Sequence, residues 1–521
     1  MRPIDYFDRG AAVMPGRLAF TGGGGRYTYA QAQARSAAIA GALHEAGLQL
    51  GDACAVYSPN DTRAMLSVFG AIRAGGAWVP VSVRNALPAN AAYLTYVHTR
   101  WLFYHSSIAD QIPTLKQALP ELRAAICIDA PATAPDSLEA LIASSSGAEC
   151  PDWSDHYGNP DHPLSLWPTG GTTGPSKGVR ITNRAWSTMI ELGLKYWDSG
   201  EPPVHLAVAP ITHAAGGLVM VLSGLSATHV ILPEFDALTV LRTIEAERVT
   251  HLFLPPTAYY AMLDHPRVDE FDYSSLKRLL IAAAPVSPDK FKAGVETFGP
   301  CLCQCYGQAE APMLISWLAP QVVAAAVAGD HPERLKSCGT PTSACKVGIM
   351  ADDGMLLAPG ERGEIVVRGP LVTPGYFERP EATAEVRTFG WHHTGDVGYQ
   401  DRDGYLYIVD RKKDMIITGG FNVYAAEVEA PILALPGVTE CAVIGIPDPK
   451  WGEMVKAVVV AKPGVTLREE EVIAHCKAML GGVKAPKSVE FWDAIPKTAV
   501  GKTDKKQIRA RFWAGSDRAV N

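Results

Sequence analysis

The sequence predicts an α/β fold in two parts: a large N-terminal domain of doubly wound parallel sheets with a β-rich subdomain, and a small α+β C-terminal domain. Three observations predict it. Short apolar strands alternate with helical segments over 28–150 and again around 226–285. The stretch 340–410 breaks into short strands between Gly and Asp turns. A charged run, Asp410-Arg411-Lys412-Lys413-Asp414, cannot continue a buried strand, and the segment 414–521 beyond it has its own strand and helix pattern.

The elements follow in order. Tyr29 to Ala46 carries apolar residues at helical spacing and stops at Gly47, which suits a helix C-terminus. Ala53 to Tyr57 is a buried strand. Asp61 caps a helix running to Ala74, and Ala77 to Val81 is the next strand. His229 to Leu232, Leu238 to Glu247 and His251 to Leu254 repeat strand, helix, strand, and Leu276 to Ala284 then leads into Pro285. Glu364 to Val367 and Tyr405 to Val409 are strands of the β-rich part.

Composition bounds the function. The 521 residues allow two or three domains and a core that needs no disulfide. With 47 basic and 54 acidic residues the net charge is −7, which argues against general nucleic-acid binding. No basic region and apolar run follow Met1, so no secretory signal is expected. Val204 to Pro233 and Ala311 to Gly329 are uncharged, but Pro210, Gly216, Gly217 and Gly224 break the first and the second holds Pro312, Pro320 and Gln321, so both read as buried core rather than membrane spans. The ten cysteines lack zinc-like spacing. Cys301, Cys303 and Cys305 alternate, placing reduced thiols on one face of a core strand, and a cytoplasmic location follows. From Lys484 to Arg511 the net charge is +5, which in an acidic chain suits contact with phosphates.

The strongest local signal is Trp167-Pro168-Thr169-Gly170-Gly171-Thr172-Thr173-Gly174-Pro175-Ser176-Lys177-Gly178. Small residues let the backbone wrap an anion, three Thr hydroxyls donate to it, and Lys177 adds a point charge. It is not a P-loop, because Gly178 stands where Ser or Thr belongs. Gly501-Lys502-Thr503 is rejected as one because Pro496 occupies a glycine position.

This loop resembles the phosphate loop of the adenylate-forming (ANL) superfamily: acyl-CoA synthetases, luciferases and peptide-synthetase adenylation domains. Four further segments resemble its core motifs in the right order across essentially the whole chain. They are Tyr306-Gly307-Gln308-Ala309-Glu310, Trp391 to Asp396, Asp410 through Glu429, and Pro496 to Lys502.

The resemblance implies an AMP-forming acid–CoA ligase. A carboxylate attacks the α-phosphorus of ATP, pyrophosphate leaves, and the thiol of coenzyme A displaces AMP. Lys502 would bridge the two anions. Thr169, Gly170, Gly171, Thr172, Thr173, Gly174 and Lys177 would hold phosphate. Tyr306 would stack on adenine beside Ala283, Ala284 and Pro285, followed by Gly307, Gln308 and Ala309. Asp396 would accept from the ribose hydroxyls, and Arg411 would touch ribose or phosphate. Glu310 and Thr172 would hold Mg2+. Lys413 falls at the hinge, where a charged, exposed position fits a backbone that rotates. The domains would then be 1–410, a hinge at 411–413 and a mobile 414–521. Gly419, Gly420 and Phe421 would face coenzyme A. The resemblance leaves a homodimer open.

The chain departs from the family at three positions. Gly170 replaces Ser, Ser176 replaces Pro, and Ala309 replaces Thr, for a modest expected loss of ATP affinity. His213 matches the gate histidine, with Thr212 in place of the usual aromatic; a satisfied core histidine is its other reading. No Lys, Arg or Asp lies in Val204 to Leu232, which favours an apolar monocarboxylic acid, fatty or aryl. The alternatives are an enzyme loading a carrier protein, a luciferase-like enzyme, or a nucleotide-binding protein without chemistry. Membrane association through the basic tail is a further, weaker idea.

Overall fold

The computed structural model describes residues 1–147, 150, 161–169, 176–284, 286–419, 421–498 and 502–513. The chain forms two compact units, Met1–Val347 with Val367–His392, and Gly348–Val366 with His393–Asn521.

The first unit holds two sheets. In one, strands Ala124–Cys127, Thr99–Tyr104, Ala53–Tyr57, Ala77–Val81 and Pro163–Pro168 lie side by side and parallel, and Gly178–Thr182 closes the edge antiparallel. All five residues of Ala53–Tyr57 are buried, which is why that strand reads as a continuous apolar run. The helix Thr62–Arg73 packs between strands. Its cap is Asp61, whose carboxylate accepts from the Arg63 amide at 2.7 Å.

In the other sheet, Leu18–Gly22, Thr228–Ile231, Val204–Ala207, His251–Leu254, Arg278–Ile281 and Leu302–Gln308 are parallel neighbours in that order. Gly25–Thr28, Ala311–Leu318 and Thr340–Pro341 add antiparallel edges. Parallel strands share one carboxyl end, the usual place for a ligand in an α/β sheet. Cys301, Cys303 and Cys305 are buried free thiols at the start and along Leu302–Gln308, as expected.

Both uncharged stretches are core. The first folds as Val204–Ala207, the helix Ala214–Ser223 and Thr228–Ile231. The second folds as Ala311–Leu318 and the helix Pro320–Val327. Among the described residues no helix is long and apolar enough to cross a membrane.

Three histidines lie within this sheet. His205 pairs in register with His229 and with His251. The Nδ1 atoms of His205 and His229 are 3.1 Å apart, His229 Nε2 meets Ser223 Oγ at 3.1 Å, and His251 Nε2 meets the Trp197 carbonyl at 2.7 Å. Burial, with Arg17 adding to it, holds His229 down at about 3. Burial holds His251 at about 4 and pushes His205 well below its ordinary value. The unfolded chain takes up these protons near 6.5, while the folded chain refuses them. Stability is therefore complete above pH 6.5 and falls toward pH 4, at about 1.4 kcal/mol per pH unit for each titrating histidine. Urea midpoints should drop between pH 7.5 and 5, and His229→Gln should shallow that slope. Equal midpoints at both pH values would contradict this.

The second unit holds most of a four-stranded sheet, Lys346–Met350, Gly363–Arg368, His392–Gln400 and Leu406–Arg411. The β-rich stretch is thus grouped mainly with the C-terminal segment. Beyond it lies a sheet ordered Phe421–Val423, Ile416–Thr418, Gly452–Ala461, Val438–Asp448, with Ser488–Phe491 parallel to Gly452–Ala461. Helices Ala425–Leu433 and Glu469–Lys484 cover it through Val428, Ile432, Val472 and Cys476.

The charged run differs from expectation. The strand continues through Asp410 and Arg411, and only Lys412–Asp414 turns away as a short 3-10 helix. Buried Asp410 is tolerated because its carboxylate accepts from the Arg411 amide at 2.7 Å and the Ala426 amide at 3.1 Å.

Candidate active site

In the first unit the candidate residues follow the carboxyl ends of parallel strands. Pro163–Pro168 leads into the glycine-rich loop. Thr169 and Lys177 close it, the Thr169 amide donating to the Lys177 carbonyl at 2.9 Å and the Lys177 amide to Thr169 Oγ1 at 3.3 Å. Gly170, Gly171, Thr172, Thr173 and Gly174 lie outside the described residues, as do Pro285 and Gly420.

Arg278–Ile281 leads to Ala283 and Ala284, and Ala283 adopts a positive φ of 78°. Its neighbour Leu302–Gln308 delivers buried Tyr306, then Gly307, Gln308, Ala309 and Glu310 in the turn to Ala311–Leu318. A Cβ at Gly307 would lie 2.5 Å from the Met313 amide nitrogen, so only glycine allows this turn. His392 Nε2 is 3.1 Å from Gln308 Oε1.

Glu310 accepts from the Tyr376 hydroxyl at 2.7 Å, and its carbonyl accepts from the Thr373 amide at 2.8 Å. Burial and the Glu310 charge push the Tyr376 hydroxyl pKa up, so the phenol stays a donor. Lys177 Nζ lies 4.9 Å over the Tyr376 ring. Loop lysine, tyrosine and glutamate thus form one wall.

His213 is exposed at the N-terminus of Ala214–Ser223, so it is not a core histidine. Its ring is 5.9 Å from that of Trp167, which packs edge-on to Trp78 and Trp186. A Cβ at Gly217 would be 3.7 Å from Trp167 and Met313 and 3.8 Å from Trp186. The surroundings are apolar.

The second unit gathers a charge cluster. Asp396 is buried in His392–Gln400 and faces Arg411 across the strand pair, with Arg411 Nε 2.6 Å from Asp396 Oδ1. Lys502 keeps solvent-accessible surface, yet the surroundings of its amine disfavour the charge. Desolvation leads, Arg411 and Lys413 add to it, Asp396 opposes it, and the pKa drops below 10.5. Lys413, expected exposed, is half-buried, and its amine is likewise pushed down by burial and then Arg411. Lys502, Arg411, Lys413 and Arg509 thus outnumber the carboxylates of Asp396 and Asp414, an arrangement that favours an added anion.

Four other basic residues of the tail are held in ion pairs. Lys484 pairs with Glu427 at 2.6 Å, Lys497 with Glu440 at 2.6 Å, Lys505 with Glu429 at 2.8 Å and Arg509 with Asp414 at 2.8 Å. The count over 484–511 missed these partners because they lie outside the segment. Lys502 makes none of these pairs.

Gly419, at φ 58°, donates its amide to the Trp451 carbonyl at 2.8 Å, and a Cβ there would lie 2.6 Å from the Trp451 ring. Phe421 is 60% and Trp451 45% exposed, a large apolar surface for two aromatics.

Residues 7–377 match the AMP-binding enzyme family, and residues 427–502 match the AMP-binding enzyme C-terminal domain. The chain belongs to the AMP-binding enzyme family. Its place is in the acyl-CoA synthetase branch of the adenylate-forming superfamily. The feruloyl-CoA synthase of an Amycolatopsis species is 38% identical over 97% of this chain and 98% of its own length. The medium/long-chain-fatty-acid–CoA ligase FadD8 of Mycobacterium tuberculosis is 42% identical over 69% of this chain and 63% of its own. Among solved structures, the amide bond synthetase McbA of Marinactinospora thermotolerans is similar, at 31% identity and a TM-score of 0.87, covering 98% of this chain and all of that one (100%).

Two groups in this acyl-CoA synthetase escaped sequence reasoning. Tyr376, far from any motif, ties Glu310 to Lys177. Trp451 packs on Gly419; a lone tryptophan beside Gly452 gives no signal until the strands are paired.

Proposed function

We propose that this acid–CoA ligase activates an apolar monocarboxylic acid, fatty or aryl, and that Lys502 neutralises the acid against the α-phosphate of ATP. The enzyme is ATP-dependent and forms an acyl-AMP with release of pyrophosphate; the coenzyme A thiol then displaces AMP. One observation carries the assignment of Lys502: it sits with Arg411 and Lys413 near the carboxylate of Asp396, where positive charge is in surplus. A site with surplus positive charge favours the joining of two anions.

The other roles follow the chemistry of each group. Asp396 and Arg411 take the ribose and phosphate, and Tyr306 stacks on adenine beside Ala283. Lys177 and the loop it closes hold the phosphates. Glu310 fits Mg2+: one carboxylate oxygen accepts from Tyr376, and the other, without a hydrogen bond among the described residues, would take a hard cation, with phosphate oxygens and water, and Thr172 by resemblance, completing the shell. Magnesium would offset phosphate charge. Rotation about Lys413 would exchange the adenylating face, bearing Lys502, for the Gly419–Phe421 face. His213 stands at the entrance used by the acid or thiol. The ten unpaired cysteines suit a reducing cytoplasm, and a homodimer is the assembly to test.

The acid is assigned from its surroundings. The exposed His213 lies against the Trp167 ring, and Met313 and the buried Trp186 lie near Gly217, so these neighbours bring no fixed counter-charge. A panel of acids scored by coenzyme A-dependent AMP release should place fatty or aryl acids about 100-fold or more above dicarboxylates and amino acids. A dicarboxylate or an amino acid leading the panel would contradict the assignment. The same panel with an amine or a phosphopantetheinylated carrier in place of coenzyme A should give little AMP.

A further inference from the structure

We infer that Arg387 is a second cation of the phosphate side, binding the part of ATP that leaves as pyrophosphate. The inference rests on the reading of the Lys177–Tyr376–Glu310 wall as the ATP site.

Arg387 follows the helix Pro380–Glu385, and its backbone amide donates to the Ala384 carbonyl at 3.0 Å, which fixes where the side chain starts. Its Nε and Nη2 are buried and, among the described residues, have no hydrogen-bond partner. A guanidinium does not shed its proton, so these donors are not silenced by neutralisation. Buried donors without partners are rare and call for a reason.

The groups around it supply one. Burial disfavours the Arg387 charge, while Tyr376 and Glu310 favour it. Among the described residues Glu310 closes no ion pair with it; one of its carboxylate oxygens accepts from the Tyr376 hydroxyl at 2.7 Å. Lys177, at the end of the phosphate loop, lies over the same tyrosine ring. A second orphan sits on the same segment as Tyr376: Thr373 is fully buried, and its Oγ1 has no partner among the described residues. Lys177 and Arg387 thus both lie near Tyr376, with the carboxylates of Glu310 and Glu385, and the buried Arg387 donors have no partner among the described residues. The planar fork of an arginine matches two non-bridging oxygens of one phosphate, which a point-charge lysine does not. Lys177 is already assigned to the phosphates, and Arg387 would share with it the end of the triphosphate that leaves.

The test compares the wild-type chain with Arg387→Gln and Arg387→Lys, measuring the affinities of ATP, AMP and inorganic pyrophosphate by calorimetry in the presence of magnesium. Arg387→Gln should weaken ATP and pyrophosphate about 10-fold or more and leave AMP unchanged. Arg387→Lys should recover only part of the loss. Equal weakening of ATP and AMP, or no change in either, would overturn the inference. Thermal unfolding checks that the Gln variant folds; if it does not, the Lys variant decides by the same ratio of ATP to AMP. A wild-type chain that bound AMP but not ATP would sink the reading of the wall, and the role of Arg387 with it.

Discussion

Lys502→Ala should slow the acid-dependent exchange of pyrophosphate into ATP by about 10²–10³-fold, the range seen when one preorganised charge donor is removed from a transition state. The ground state should change less, because the other groups proposed for nucleotide binding are left in place. The KM for ATP is therefore expected to move by only a few-fold while kcat collapses. The lowered pKa of Lys502 adds a sharper signature. The charged amine is the working form, so adenylation should decline as pH rises through a value below the ordinary 10.5 of lysine. Lys502→Arg keeps the charge at all these pH values and should abolish that alkaline limb, even if its geometry lowers the rate. A limb that survives in the arginine variant would assign the titration to another group.

Gly419→Val should separate the two half-reactions. A side chain at this position meets the Trp451 ring within 2.6 Å, on a backbone at φ 58° that valine resists. The change distorts the face carrying Phe421 and Trp451 and leaves the cluster around Asp396 in place. Thioester formation is expected to fall about 100-fold, an effect of roughly 2.7 kcal/mol, while pyrophosphate exchange stays within a few-fold of wild type. Equal loss in both assays would mean that this face serves adenylation too.

Much of this was legible in the sequence, and the reasons are local. Ala53–Tyr57, Ala77–Val81 and His251–Leu254 stand where continuous apolar runs place them, and Asp61 caps the helix it precedes. These features depend on neighbours a few residues away. The site was legible where a motif fixes its own geometry, as in the Tyr306 to Glu310 turn, where Gly307 alone clears Met313. What the sequence hid depends on distant partners. The +5 of the C-terminal segment looked free because Glu427, Glu429, Glu440 and Asp414 are remote in sequence. Lys413 looked exposed because charge was read as exposure, yet its amine is crowded by Arg411. The strand Leu406–Arg411 absorbs two charges of the supposed boundary because Asp410 finds backbone donors. Tyr376 and Arg387 sit outside every motif, and only folding brings them to Glu310.

The central claim is that a carboxylic acid is joined to AMP before any thiol is engaged. The most direct measurement is the exchange of labelled pyrophosphate into ATP without coenzyme A, with and without a fatty or aryl acid. The account predicts rapid exchange that requires the acid and disappears in Lys502→Ala. Exchange that needs coenzyme A, or a forward reaction that releases ADP and phosphate instead of AMP and pyrophosphate, would contradict it.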